Sequence, residues 1–168
     1  MMNYIKKANA KADIASAKQM YNSVRAVLME NDAAYGSFYQ HNTMKPNVTT
    51  VTNAGSESYK LVVVCKCTGA ANSYYDNQTN NNWFKGNNET QTFCDALDAN
   101  LGYTAEKTGR IMKHTTHPNG QRTDLWLICY RNDDPERIEI WAGYSRGSGN
   151  SGPTYRVYPD PVKEYTNP

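Results

Sequence analysis

MNYIKKANAKADIASAKQMYNSVRAVLMEND, residues 2–32, contains neither Pro nor Gly and is built largely from Ala, Lys, Met, Gln and Leu, the residues that lose least on entering a helix. It predicts one long helix. Ile14, Ala17, Tyr21, Val24 and Leu28 recur at intervals of three and four residues, so they form one narrow apolar stripe that is expected to pack on a sheet. The forward half differs, because Ile5, Ala8, Ala12 and Ala15 lie on a second line among other small side chains. A half-helix of that kind suits close contact with helices of other copies.

After the helix, Gly36 is placed to take the left-handed conformation that closes it. Residues 37–57 are rich in Ser, Asn, Thr and Gly, with Pro46 and a β-leaning VTTVT at 48–52, and read as a surface connection. The run YKLVVVCKCT, 59–68, is continuously apolar from 61 to 64, as in a strand covered on both faces. A second helix is expected over 89–100, ETQTFCDALDAN, with Phe93, Leu97 and Leu101 on the face toward the sheet and Asn100 or Gly102 at its end.

The remainder predicts an antiparallel meander. Residues 110–115 form a strand, and His117-Pro118-Asn119-Gly120 contains Asn-Gly, the strongest short hairpin signal. Residues 123–131 form the second central strand. The turn 132–135 leads to 136–144, where Ile138, Ile140 and Ala142 alternate with Glu139, Trp141 and Gly143, and 154–158 closes the sheet. The class is α+β: a long N-terminal helix packed on an antiparallel sheet with a short second helix. In domain terms, 1–35 is the helix, 36–58 the connection, and 59–168 the sheet region, which packs with 14–32 as one globular domain.

The bulk properties exclude several classes. At 168 residues the chain forms a single core without needing staples. A net charge of +2, from 18 basic and 16 acidic residues, does not imply nucleic acid. Lys6, Lys7, Lys11, Lys18 and Arg25 gather on the first helix and read as a solvated face. The 13 Tyr and many Asn describe a polar, aromatic-decorated surface that suits an exported protein. No run approaches the roughly 20 apolar residues that span a bilayer, and no apolar segment follows the first charges as in a signal peptide. The doubled Met1-Met2 reads as an initiator on a shortened chain, so targeting sequence is expected upstream.

Four features could carry chemistry. Gly143-Tyr144-Ser145-Arg146-Gly147 fits the letters of a nucleophile elbow, but a Gly/Ser/Pro loop follows where the mechanism needs a helix. His114 and His117 fall in a hairpin approach and, with His41, are expected on the surface rather than on a metal. Tyr74, Tyr75, Trp83 and Phe84 stand in a polar loop, either folding back over the core or presenting a platform for glycan or a partner. Cys65, Cys67, Cys94 and Cys129 leave buried thiols, disulfides and a four-thiolate zinc site open, although Cys65 and Cys67, two apart on one strand, do not suit a bond to each other. Asn47, Asn77 and Asn88 match glycosylation acceptors by letters. No enzyme and no cofactor is read.

The opening YIKKANAKADIASAKQMYNSVRAVL, the loop and antiparallel sheet behind it, and the late stretches LGYTAEKTGR and TYRVYP resemble the type IV pilins of Gram-positive bacteria, clostridial types in particular. In that family a hydrophobic half-helix continues into a Lys-, Ala- and Ser-rich amphipathic half, which residues 2–28 resemble. The processed, methylated start of the family has no counterpart here. The resemblance implies an extracellular, cell-surface filament subunit, used in adhesion, motility or surface attachment and anchored in the membrane before assembly through a segment absent here. Its partners would be other subunits and the assembly machinery. Ile5, Ala8, Ala12 and Ala15 would touch neighbouring subunits. The alternative within the same resemblance is a minor or tip pilin or pseudopilin that binds glycan or a host surface through the loop aromatics.

Overall fold

The computed structural model describes residues 2–39, 48–49, 58–66, 84–85, 90–102, 112–123, 125–131, 133–144 and 152–168. The helix-forming start folds as α1 (Met2–Glu30), 29 residues or about 43 Å of helix, followed by α2 (Asp32–Tyr39). The two meet at Asn31, and the ladder barely breaks there: Asn31 N donates to Val27 O at 3.0 Å and Tyr35 N to Asn31 O at 2.9 Å. Asn31 Oδ1 accepts from Ala34 N at 2.9 Å, capping α2.

Gly36 therefore lies inside α2 and does not end a helix, contrary to the sequence expectation. The reason is Phe38, fully buried against Phe93 and Tyr130 with ring centroids 4.6 and 5.5 Å away. Burying a Phe contributes about 1.5–3 kcal/mol, more than the roughly 1 kcal/mol that a helical Gly costs.

All strand pairs are antiparallel: β1 (Val48–Thr49), β2 (Ser58–Lys66), β4 (Leu125–Arg131), β5 (Ile138–Tyr144) and β6 (Gly152–Tyr158) lie side by side in the order β1-β2-β4-β5-β6, and β3 (Phe84–Lys85) also pairs with β2. The class is α+β, as the sequence predicts. One predicted strand, 110–115, is not formed over its described residues. Residues 112–115 belong to no strand, and the Asn-Gly turn closes only a small hairpin with a lone bridge between Thr116 and Arg122. The turn itself forms as expected: Gly120 has φ +77° and its N–H donates to His117 O at 2.9 Å.

The edge strand β6 shifts register against β5 at two places, and the chain beyond it folds back: Val162 N donates to Arg156 O at 3.1 Å, and Arg156 Nε to Asp160 O at 3.0 Å. A last short helix, α4 (Lys163–Thr166), follows. The predicted second helix is α3 (Gln91–Leu101), closed by Gly102 at φ +70°, whose N–H reaches Ala99 O at 3.1 Å. It packs on α1 and α2, and it lies against the sheet, as expected, at β3 and through Phe93 and Leu97, which share the core with Trp126 and Tyr130.

The main core lies between the helices and one face of the sheet, where Trp126, Ile128, Tyr130, Ile138, Ile140, Ala142, Tyr155 and Val157 meet the helices. On α1 the buried positions are Ala10, Asp13, Ala17, Met20, Val24 and Val27. That line is rotated from the predicted stripe: Ala17 and Val24 are shared, whereas Ile14, Tyr21 and Leu28 form a half-buried flank. A carboxylate in the buried line hides it from an apolar-periodicity reading. The opposite sheet face is buried too at Leu127, Cys129, Glu139 and Trp141.

Candidate assembly surface

No residue of 2–9 is buried; Ala10 is the first. Met2, Tyr4 and Ile5 are 77%, 78% and 54% exposed. At about 100° per residue, Ile5, Ala8, Ala12 and Ala15 fall on the side of α1 turned away from Ala10, Asp13 and Ala17. Ala8 and Ala15 are exposed and Ala12 half-buried, so none of the four is part of the domain's own core. Farther along this face, Ala15, Lys18, Gln19, Asn22 and Ser23 form a polar groove with Asn100.

The opposite side of this half-helix is held by polar contacts that sequence reasoning missed. Asp13 Oδ1 and Oδ2 accept from the backbone amides of Lys113 and His114, both at 2.8 Å. Burial nonetheless pushes its carboxyl up to about 6, against the lowering effect of the two amides and of the nearby Lys113 charge. The contact pins residues 112–114 to α1.

Behind it lie His114 and His117, expected on the surface but only 2% and 3% exposed. Their rings stack edge to face at 4.5 Å, and Tyr155 and Tyr165 close around them, at 4.4 Å from His117 and 5.3 Å from His114. Hydrogen-bond logic fixes the tautomers. His114 Nε2 lies 3.0 Å from Glu164 O, a carbonyl that only accepts, so Nε2 carries the proton. Thr123 Oγ1 donates to His114 O at 3.3 Å and so accepts from His117 Nε2 at 2.9 Å. His117 Nδ1 is buried without a hydrogen-bond partner. Burial lowers His114 and, with His114 beside it, takes His117 down to about 4, so the site favours the neutral form of both rings.

On the other sheet face, Glu139 is fully buried and accepts from Trp141 Nε1 at 3.1 Å, Arg137 Nε at 3.2 Å and Arg156 Nη1 at 3.4 Å. The charge is matched by two guanidinium groups, as a buried carboxylate requires.

Cys94 and Cys129 are buried and not disulfide-bonded. They lie on opposite faces of the sheet layer, Cys94 within the helix-side core and Cys129 on the Glu139 side, so they do not bridge each other. Burial, reinforced by the Glu139 charge, raises the Cys129 thiol well above its ordinary value and keeps it protonated. Cys65 lies in β2, opposite Trp126 and Phe84; its side chain, that of Phe84, and all of Cys67 lie outside the described residues. So do Tyr74, Tyr75, Trp83, His41, Ser145 and the acceptors Asn47, Asn77 and Asn88. Among the described residues no three His, Cys, Asp or Glu side chains are grouped to hold a metal ion, and no helix is long and apolar enough to cross a membrane.

Comparison of the chain with protein-family models, with curated proteins and with solved structures gives no match in any of the three.

Proposed function

We propose that the chain is a structural subunit of a type IV pilus, assembling through its N-terminal helix into an extracellular filament. The observation that carries this reading is the forward half of α1, in which Tyr4 and Ile5 are exposed and the small side chains of Ala8 and Ala15 face away from the domain. Small residues let helices approach closely, and exposed apolar groups gain from being covered. Ile5, Ala8, Ala12 and Ala15 are the contacts with neighbouring helices, while Asp13 and the 112–114 segment keep the other side of the helix on its own domain.

The test is electron microscopy of the producing cells with gold-labelled antibody to this chain. Filaments labelled along their length are expected, and Ile5→Asp should abolish them while the domain melts normally. Label confined to filament tips would make the chain a minor, ligand-presenting subunit. Absence of the chain from any filament would overturn the reading.

A further inference from the structure

Among the described residues, the large exposed apolar side chains sit at only two places: Met2, Tyr4 and Ile5 at the start of α1, and Met29 and Tyr35 around the α1–α2 junction. The two places carry opposite charge. Beside the first are Lys6, Lys7 and Lys11, with no acidic residue before the buried Asp13. Beside the second are the exposed Glu30 and Asp32, joined by Asp134 and Glu136 of the β4–β5 turn. That turn belongs to the same end of the molecule, because Tyr39 at the close of α2 donates its hydroxyl to Pro135 O at 3.0 Å.

The charges do not serve the fold that carries them. Lys7, Lys11, Glu30, Asp134 and Glu136 make no ion pair among the described residues, and α1 ends on Glu30 with no basic residue in its last turn, against the field of the helix carbonyls. An apolar centre rimmed by charge is the make-up of a protein interface. Two such patches of opposite sign, at opposite ends of one helix, fit each other on different copies. Being different surfaces, they form a heterologous contact, which propagates rather than closing on itself.

We propose that successive copies of this chain dock head to tail, the basic start of α1 with Tyr4 and Ile5 seating on the acidic end formed by Met29, Tyr35, Asp134 and Glu136 of the next. This rests on the pilus reading and adds to it the partner surface and the register. Charge pairs at the rim set orientation and suppress wrong seatings more than they add affinity. Lys7 and Lys11 therefore select which part of the neighbouring domain receives the stem.

Charge reversal in the full chain, in producing cells, tests it. K7E/K11E alone and D134K/E136K alone should each lower filament yield by about tenfold or more, and the fourfold variant should recover most of it. All four positions are exposed, so melting of each variant domain should match the parent. In isolated parent filaments, a zero-length carbodiimide should join Lys7 or Lys11 to Asp134 or Glu136 of another copy. Unchanged yields in both double variants, or losses that the fourfold variant does not rescue, would overturn the docking while leaving the pilus reading intact. Absence of the parent chain from filaments would remove both.

Discussion

Asp13 joins the forward helix to the rest of the molecule, and its acid–base behaviour opposes that of the histidines behind it. A carboxyl raised to about 6 adds stability that is fully present below its ordinary value of 3.8 and is lost as pH rises through 6. His117, lowered to about 4, adds stability present above 6.5 and lost as pH falls through 4, and His114 works in the same direction. Between pH 4 and 6.5 the trends offset each other. Melting temperature measured across that range should fall more steeply on acidification in Asp13→Asn than in the parent, and less steeply in His117→Phe. A different residue-scale test concerns Glu139. Glu139→Ala removes the acceptor for Trp141, Arg137 and Arg156, and breaking a buried pair of this kind costs about 3 kcal/mol, the low end of the usual range because Arg137 is 39% exposed. Urea unfolding should show that loss.

At the level of elements, the rotated stripe on α1 gives a direct comparison. Met20, fully buried, should cost about 3 kcal/mol when truncated to Ala, whereas Leu28 on the half-buried flank should cost about 1. Asn31→Ala should cost about 1 kcal/mol through loss of the α2 cap. Much of this architecture was legible in the sequence. The Asn-Gly turn, the Gly102 closure, α3 and the apolar strands followed from local backbone chemistry and period. What escaped were places where tertiary partners override the local signal. Asp13 interrupts the apolar period because its partners are amides a hundred residues away. The His114-His117 pair carries no local mark of burial, since Tyr155, Tyr165 and the Glu164 carbonyl reach it from β6 and α4. Gly36 carries the local signal of a helix stop, and the gain from burying Phe38 that overrides it lies in α3 and β4. The exposed line of small residues on α1 was legible, and the acidic patch at the other end of the helix was not, because it unites α2 with a turn far along the chain.

For the whole molecule, the division of α1 into a side that holds the domain and a side that faces outward predicts separable effects. Ile5→Asp should leave the melting temperature within about a degree, as surface changes do, and remove filaments. The buried thiols give a complementary measure of integrity: Cys94 and Cys129 should resist alkylation until denaturant opens the core, as read by peptide mass. The folded-back tail along β6 has a further consequence. A free sheet edge templates unwanted strand addition between copies. Here Pro153 offers no amide within β6, the register shifts distort the ladder, and Val162 already occupies the Arg156 carbonyl. An edge so blunted is a poor template for strand addition from a neighbouring sheet.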